Sequence, residues 1–394
     1  MIETIIDNKK IEIYLQPIIS VKDRKVFAYE ALTRAYDENN DFISPLYLFE
    51  QAKKERLSCK LDNYVRELAL EKFYEYYQKD KSVLLFLNFE SSVIEYDMYD
   101  SFISTVYKHN IATSNIVLEI KEDQIKDTQA LKKFIARHKS RGFVIAIDDF
   151  GTGYSSFDRL EFIQPDIVKV DRSIIYNVHN NFINSEILSA ISNMCHNIGA
   201  IVLAEGVEHR DEILTCMKKD IDIYQGYWFS RPKLEIDMHM EKDITESISD
   251  VGSKYTGIVK ETIVKKQLLL ESSKLLSEKV IDLLEKYSIE NMTIMTEVFE
   301  ANEKLEAIYM LGFDDGIQVG QTLINAPERY LYNPTSTGYD HSLRDYYFIA
   351  KDSSRGDYLG NRYISKASGN MCRTYSSKIN IKENCYIVCF DILD

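Results

Sequence analysis

The chain has 394 residues, 45% of them hydrophobic, and a formal net charge of −14. This length favours two packed domains, and the apolar content excludes an intrinsically disordered protein. The negative charge argues against binding to a polymeric nucleic acid, which requires a basic face. No apolar run approaches the roughly 20 residues of a membrane span. The first residues carry no signal-peptide pattern, so we expect a cytoplasmic protein without membrane insertion.

The first part of the chain alternates short apolar runs with amphipathic stretches. Strands are predicted at "IEIYLQP", "VFAYEAL", "SVLLFLNF", "NIVLEI", "FVIAIDD", "DIVKVD", "AIVLAEG" and "DIYQGYW". Helical patterns lie between most of them, which predicts a parallel sheet closed as a modified TIM (β/α)₈ barrel. Only "ISVKDRK" joins the first two strands. This connection is too short for a crossover helix, so we expect that one pair to be antiparallel.

The alternation stops after "FSRPK", and we interpret the acidic, irregular segment 237–254 as a linker. The following "IVKETIVKKQLLLESSKLLSEKVIDLLEKY" predicts one long helix. Its leucines recur every seven residues at Leu269, Leu276 and Leu283. That spacing fits a short coiled coil, although packing on its own domain is the favoured interpretation.

The last part of the chain changes from helical to strand periodicity. A further helical segment is predicted near 291–302, and a hairpin around "DDG" at 314–316. Two antiparallel strands are predicted towards the C-terminus, where Cys385 and Cys389 share one strand face as small hydrophobic groups. We therefore expect a smaller α+β domain over 255–394. Cysteine and histidine spacings throughout the chain match no common zinc or redox motif.

Polar side chains follow the predicted barrel strands. In chain order they are Gln16, Glu30, Asn88, Glu119, Asp148 with Asp149, Lys169, Glu205 and Gln225. Any one alone is ordinarily a solvated loop residue or helix cap. Because active sites of such barrels lie at the carboxyl ends of the strands, their recurrence favours one shared site. Oxygen ligands without histidine or cysteine favour Mg²⁺, Mn²⁺ or Ca²⁺.

The adjacent carboxylates of Asp148 and Asp149 repel each other and are costly to desolvate. Two cations that share a bridging aspartate would offset this repulsion and would suit attack of water on a phosphodiester. The alternative is a loop whose aspartates cap the next helix. Lys169 is costly to bury unless metal-bound carboxylates pair with it. Its alternative is a side chain that extends to solvent.

Seven short motifs together resemble EAL-domain cyclic di-GMP phosphodiesterases. They are "YEALTR", "LFLNF", "LEIKE", "IDDFGTGYSS", "VKVD", "LAEGVE" and "QGYWFSRP", in the family's order. The resemblance covers 1–236, which we predict to be the EAL domain. It implies hydrolysis of cyclic di-GMP to linear 5′-pGpG with two Mg²⁺ or Mn²⁺ ions.

The resemblance also implies a role for each matching residue. Metal ligands would be Glu30, Asn88, Glu119, Asp148 and Asp149. Catalytic residues would be Glu205 as general base, with Lys169 and Gln225 binding water. Substrate contacts would come from Gln16, Leu32 and Arg34. Supporting positions would be Glu122, Glu208 and the loop residues Phe150, Gly151, Thr152, Gly153, Tyr154, Ser155 and Ser156.

Two positions depart from the family pattern. Glu90 stands where serine is usual, and Lys121 stands where threonine is usual. Neither replaces a proposed ligand, so we expect an active enzyme. The alternative is a catalytically silent cyclic di-GMP receptor that acts through conformational or oligomeric change. A different metal-dependent barrel enzyme would leave "DDFGTGYSS" unexplained.

The C-terminal region is similar to the PAS-like or Cache-like sensor domains of some EAL proteins. The similarity lies in "IYMLGFDDGIQVG", "SLRDYYFIAKDS", "YLGNRYIS" and "RTYSSKI". It implies a regulatory domain, a homodimer and a small-molecule ligand near Arg344, Asp345, Tyr346 and Tyr347. The alternative is a domain used for dimerisation alone.

Overall fold

The computed structural model describes residues 1–89, 101–121, 128–152, 157–287, 298–299, 302–325 and 333–393. They divide into two compact units, Met1–Gly257 and Ile258–Asp394. No helix among the described residues is both long enough and apolar enough to cross a membrane.

The first unit is a closed barrel of eight strands with one short extra strand. Its strands are β1 (Ile11–Ser20), β2 (Lys25–Tyr36), β3 (Phe42–Ile43), β4 (Leu84–Phe89), β5 (Ile116–Lys121), β6 (Val144–Phe150), β7 (Ile167–Val170), β8 (Ile201–Glu205) and β9 (Ile223–Gln225). Strand β1 runs antiparallel to both β2 and β9 and closes the barrel, whereas β2 and β4 to β9 pair in parallel. The predicted modified TIM barrel and its antiparallel first pair are confirmed.

Helices connect most of the parallel strands. Helix α1 (Ile2–Asp7) precedes β1. The connecting helices are α2 (Pro45–Lys54), α3 (Ser58–Lys79), α4 (Ser101–Lys108), α5 (Thr128–Lys139), α6 (Phe157–Ile163), α7 (Arg172–Ile175), α8 (Phe182–Asn197) and α9 (Arg210–Lys218), with a 3₁₀ turn at Thr113–Asn115. Local sequence sets the start of α2. Ser44 accepts a hydrogen bond from the Tyr47 backbone and Pro45 opens α2, which is a favourable N-terminal pair.

An apolar ring fills the barrel interior, with one buried residue from each of the eight barrel strands. The ring consists of Ile18, Ala28, Phe86, Val117, Ala146, Ile167, Leu203 and Ile223. Strand side chains alternate between faces, so the residues two positions away also point into the barrel. That second interior layer is where the polar residues of the sequence lie.

A single helix, α10 (Met238–Tyr287), begins inside the segment predicted to be a linker. The irregular conformation expected for 237–254 is therefore wrong from Met238 onward. Met240, Ile244, Ile248 and Val251 are buried at spacings of three and four residues. This apolar stripe lies among acidic residues and stabilises a helix against the first unit.

The second unit is built on a five-stranded antiparallel sheet in the order β11–β10–β14–β13–β12. Its elements are β10 (Leu305–Gly312), β11 (Gln318–Ile324), α11 (Asp345–Asp352), β12 (Asp357–Ile364), β13 (Met371–Ile381) and β14 (Asn384–Leu393). The hairpin and the two C-terminal strands match the prediction, and β12 is additional. Leu276 and Val280 of α10 pack in one core with Phe390, so the helix packs on its own domain. The helix predicted near 291–302 lies mostly outside the described residues.

Candidate active site

A layer of polar side chains, which we call the polar layer, lies two residues from the apolar ring on all eight barrel strands. Its members are Gln16, Glu30, Asn88, Glu119, Asp148, Lys169, Glu205 and Gln225. Strand register aligns neighbours, since Asn88 pairs with Glu119 and Glu205 with Gln225. Side chains alternate between the two faces of a strand, and this alternation places the strand-end residues predicted from the sequence on the barrel interior. Asp149 is the exception.

Lys169 lies at the centre of this layer and is 1% exposed. Its Nζ is 2.8 Å from an oxygen of Asp148, 2.8 Å from one of Glu205 and 3.9 Å from one of Glu30, and it also contacts Glu119. Burial acts to lower the pKa of Lys169, but these carboxylates outweigh it and raise the pKa well above its usual value. The lysine is therefore a fixed positive charge that partly neutralises the layer.

Glu119 is a buried carboxylate with too few partners. It is fully inaccessible, and apart from its contact with Lys169 neither oxygen has a hydrogen-bond partner of normal geometry. Burial and the nearby Glu30 raise the pKa of Glu119 well above its usual range, although Lys169 opposes them. An uncompensated buried carboxylate is costly. The donor set consequently fits a hard divalent cation.

A local irregularity brings Asp149 to the same mouth as Asp148. Consecutive strand residues normally point to opposite faces. Here the pairing of β6 with β7 shifts register between Ile147 and Phe150, and Asp149 has a φ of 56° in the left-handed region. Oxygens of Asp148, Asp149 and Glu205 consequently lie within 4.8 Å of one another, a spacing that could hold a metal ion.

The amide side chains of the layer orient Glu30. Asn88 donates to one oxygen of Glu30 at 3.1 Å, and Gln225 donates to the other. Gln225 also donates to Gln16 at 3.2 Å, while Gln16 donates to the Ser230 carbonyl at 3.1 Å. Oε1 of Gln225 is buried and has no described partner, which leaves an acceptor for a donor such as water.

The structure describes some, but not all, of the residues that were predicted to contact substrate or to support the site. The Arg34 guanidinium donates to the Thr33 carbonyl at 2.8 Å, and Leu32 on the same strand is half-buried. Glu208 pairs with Arg172 at 2.8 Å. The loop residues Phe150, Gly151 and Thr152 are described, with Phe150 buried and Thr152 exposed. Glu122, Gly153, Tyr154, Ser155 and Ser156 lie outside the described residues.

Lys121 is a site residue to which the sequence reasoning assigned no role. Its Nζ lies 3.1 Å from an oxygen of Asp149 and 3.9 Å from one of Asp148. Its spacing from Glu119 could have indicated this position. Lys121 follows Glu119 by two residues, so both side chains point to the same face of β5. An ammonium here competes with any cation that Asp149 could bind.

A second group of possible ligands lies outside the barrel mouth. Oxygens of Glu67 and Glu71 and a nitrogen of His109 are also within 4.8 Å of one another. Lys108 already pairs with Glu67 at 2.9 Å. This partly exposed group offers fewer ligands than the polar layer and provides a useful comparison site.

Fold and site together define a class of protein: a modified TIM barrel whose mouth carries a carboxylate and amide layer suited to hard divalent cations. Residues 1–232 match the EAL domain family. The chain belongs to the EAL-domain family.

The chain is also similar in sequence to other proteins with EAL domains or with names that indicate cyclic di-GMP phosphodiesterases. The chain is 23% identical over 376 residues to the uncharacterized EAL-domain containing protein YkuI of Bacillus subtilis (strain 168), covering 92% of this chain and 90% of YkuI. It is 26% identical over 236 residues to the probable cyclic di-GMP phosphodiesterase PdeG of Escherichia coli (strain K12). That match covers 59% of this chain and 46% of PdeG, so the chain corresponds to less than half of that protein.

Solved structures show the same fold. The crystal structure of Bacillus subtilis YkuI, in complex with its substrate c-di-GMP and calcium, aligns with a TM-score of 0.82 at 22% identity and covers 100% of this chain and 98% of YkuI. A manganese and cyclic di-GMP complex of Klebsiella pneumoniae BlrP1 aligns with a TM-score of 0.51 at 24% identity, covering 57% of this chain and 56% of BlrP1. At these identities the likeness concerns the fold.

Proposed function

We propose that this protein hydrolyses cyclic di-GMP to linear 5′-pGpG in a metal-dependent reaction at the polar layer. The supporting observation is the group of carboxylates gathered around Lys169, namely Glu30, Glu119, Asp148 and Glu205. A barrel needs no such layer for stability, because buried unpaired carboxylates are costly. Names of relatives such as PdeG support the substrate class.

Glu30, Asn88, Glu119 and Asp148 would hold one cation, and Asp148 and Asp149 would hold a second. Mg²⁺ or Mn²⁺ suits these oxygen ligands. When bound, such ions supply charge neutralisation and lower the pKa of water. Two observations fit this assignment. Glu119 is buried, and neither of its oxygens has a hydrogen-bond partner of normal geometry. Carboxylates also outnumber ammonium groups in the polar layer.

The chain's own side chains position the reactants. Burial raises the pKa of Glu205 to about 8, although Lys169 opposes that rise. Bound divalent cations would lower this pKa and favour the carboxylate form that a general base requires. Lys169 and Gln225 would orient water. Gln16, Leu32 and Arg34 would contact the dinucleotide, with Arg34 donating to a phosphate oxygen.

The remaining predicted residues would support that arrangement. Glu208 would steady its surroundings through its ion pair with Arg172. Glu122 would steady the loop that consists of Phe150, Gly151, Thr152, Gly153, Tyr154, Ser155 and Ser156.

The direct test is incubation of purified protein with cyclic di-GMP and Mn²⁺ or Mg²⁺, with chromatography of the products. We expect 5′-pGpG to form and EDTA to stop its formation. Glu30→Ala and Asp149→Ala should each abolish turnover while circular dichroism shows an intact fold, whereas Glu71→Ala, outside the barrel mouth, should retain it. Persistence of wild-type turnover in Glu205→Gln would remove Glu205 from the role of base.

The second candidate is a silent cyclic di-GMP receptor. Lys121 favours it to a degree, because its ammonium lies against Asp149 at 3.1 Å. Tight binding of cyclic di-GMP with no pGpG under any divalent cation would support the receptor and contradict the enzyme.

We further propose a regulatory PAS-like or Cache-like C-terminal domain over 255–394 and a homodimer. A five-stranded antiparallel sheet with a helix against it supports the domain resemblance. Val264, Leu268 and Leu275 of α10 are more than half exposed, at 51%, 58% and 66%. Their spacings of four and seven place them on one helix face, which supports pairing with a second copy.

A further inference from the structure

The C-terminal unit contains a cavity of about 430 Å³. Residues of β10, β12, β13 and β14, together with the segment leading into α11, line it. Its volume lies in the range of small-molecule sites in proteins. All the residues that line the cavity belong to the second compact unit.

Aromatic rings form a preorganised wall of the cavity. The rings of Tyr309 and His341 are stacked with centroids 5.4 Å apart, and Tyr339 and Tyr346 pack at angles to them at 4.8 Å and 6.0 Å. His341 is fixed by contacts with the Tyr346 hydroxyl at 2.7 Å and with Gln318 at 3.0 Å. Rigid aromatic surfaces of this kind favour a flat apolar group at low entropic cost.

The floor of the cavity is polar but internally satisfied. Asp391 is buried and accepts hydrogen bonds from Ser365 at 2.6 Å, Thr374 at 2.9 Å and Tyr309 at 3.4 Å. A carboxylate with several hydroxyl donors has little need of a cationic ligand. The floor therefore does not select a positively charged molecule.

The mouth of the cavity is basic in a protein of net charge −14. Arg344, Arg362 and Lys366 line it, together with the exposed carboxylate of Asp345, and the exposed Asp340 is adjacent in sequence to the lining residues Tyr339 and His341. Lys366 lies 3.3 Å from the Tyr339 hydroxyl, and Lys366 and Arg344 together lower the pKa of Tyr339.

Arg344 and Lys366 have no carboxylate partner among the described residues. Among the described residues of this unit, the ion pair present is that of Lys274 with Asp357, and neither Arg344 nor Lys366 pairs with a described carboxylate. Two neighbouring cations without a described carboxylate partner attract an anion, and guanidinium and ammonium donors bind carboxylate or phosphate oxygens strongly.

We propose that this cavity binds a small organic anion, with a flat apolar body among Tyr309, Tyr339 and Tyr346 and a carboxylate or phosphate group at Arg344 and Lys366. Hydroxyls along the wall allow the body to carry polar substituents. The inference specifies the ligand class for the proposed sensor and does not require catalysis in the barrel.

The test uses isothermal titration of the full-length chain with three matched probes: benzoate, phenyl phosphate and benzamide. Benzoate and benzamide share shape but differ in charge. We expect at least one of the two anions to bind and benzamide to bind roughly tenfold or more weakly, since a charge-assisted hydrogen bond is worth more than a neutral one. Absence of binding by both anions, or benzamide binding as tightly as the anion that binds, would overturn the proposal.

Substitutions locate the binding. Arg344→Gln and Lys366→Gln should each weaken binding of the anion roughly tenfold or more. Lys279→Gln removes an exposed positive charge from α10, outside the cavity, and should leave binding unchanged. All three side chains are exposed, so the variants should keep the unfolding midpoint of the wild type. Equal binding in all three variants would place the anion elsewhere and refute the assignment.

Discussion

Lys121 gives this barrel mouth a charge that the family pattern lacks. Its ammonium lies 3.1 Å from Asp149, and Asp148 and Asp149 outweigh its partial burial to raise its pKa. It therefore stays protonated near neutral pH. A cation that approaches Asp149 must displace this ammonium or share the carboxylate with it.

We predict that Lys121→Thr binds Mn²⁺ more tightly, by about tenfold or 1.4 kcal/mol. The physical reason is loss of a competing positive charge from a partly exposed position, where electrostatic effects are moderate. A titration in which electron paramagnetic resonance detects free Mn²⁺ measures the Mn²⁺ affinity independently of turnover. Lys139→Thr, which removes a surface pair with Asp166, should leave the affinity unchanged. Equal or weaker Mn²⁺ binding in Lys121→Thr would contradict the competition.

At the residue scale, alternation along strands was enough to predict the polar layer. Glu30, Asn88 and Glu119 each end an apolar strand, and their convergence follows from a barrel with aligned strand ends. The way Asp149 reaches the same mouth was not predictable. It depends on a register shift and a left-handed residue, which arise from tertiary packing rather than from local sequence preference.

At the element scale, the position of Gln225 depends on a close backbone approach at Gly226. A Cβ on Gly226 would lie 2.1 Å from the Val207 carbonyl oxygen. The same stretch is held by hydrogen bonds from Val207 to Gln225 and from Trp228 to Val207, each 3.1 Å. The end of β9 therefore cannot move aside easily.

We predict that Gly226→Ala destabilises the barrel by about 2 kcal/mol through overpacking. It should also weaken cyclic di-GMP binding, because Gln225 is displaced with the strand. Gly252→Ala is the matched control, since a Cβ there meets nothing within 4 Å and α10 is helical at that point. That change should be neutral or stabilise by up to about 1 kcal/mol. Urea denaturation measures both, and a neutral Gly226→Ala would refute the packing argument.

The stability of the barrel should depend on pH through His138 of α5. His138 packs among Phe89, Phe134 and Phe143, and burial lowers its pKa from 6.5 to about 4. Between those two pH values the unfolded chain binds a proton that the folded barrel does not. The free energy of unfolding should therefore fall as the pH is lowered through this window, with a contribution from His138 on the order of 2 kcal/mol.

Trp228 is the single tryptophan, so its fluorescence follows unfolding of the barrel. His138→Leu should lose less stability than the wild type as the pH is lowered from 7 to 5, because the effect of His138 begins near its unfolded-state pKa of 6.5. His239→Leu, at a side chain 87% exposed, should keep the wild-type dependence. Identical slopes in all three proteins would exclude His138 as the source.

Elements of the barrel were predictable because each strand is an apolar run bounded by polar residues. The start of α10 at Met238 could not be predicted in the same way. Its stripe of Met240, Ile244, Ile248 and Val251 lies among acidic side chains, and the helix is stabilised by burial against the barrel unit rather than by composition.

At the scale of the whole molecule, the compact units meet in sequence at Gly257, within α10. Tyr255 donates to the Met217 carbonyl at 3.2 Å, so the helix up to this point belongs to the barrel unit. A truncation that ends at Gly257 therefore keeps the first unit intact, whereas an earlier end would remove part of it.

We predict that removal of 258–394 changes turnover, converts a dimer to a monomer, or does both. The exposed face of Val264, Leu268 and Leu275 is lost in the truncated chain. Light scattering after size exclusion gives the mass, and pGpG formation gives the rate. Triple substitution of these residues by Gln in the full chain separates pairing from loss of the sensor domain. An unchanged number of subunits, together with an unchanged rate, after truncation would contradict both the regulatory and the dimerisation proposals.

The central claim is that the polar layer gathers divalent cations for cyclic di-GMP hydrolysis. The most direct measurement is anomalous diffraction from crystals grown with Mn²⁺ and cyclic di-GMP. We predict Mn²⁺ peaks bounded by Glu30, Asn88, Glu119 and Asp148, and by Asp148 with Asp149. Peaks confined to the Glu67, Glu71 and His109 group, with none in the polar layer, would contradict the account.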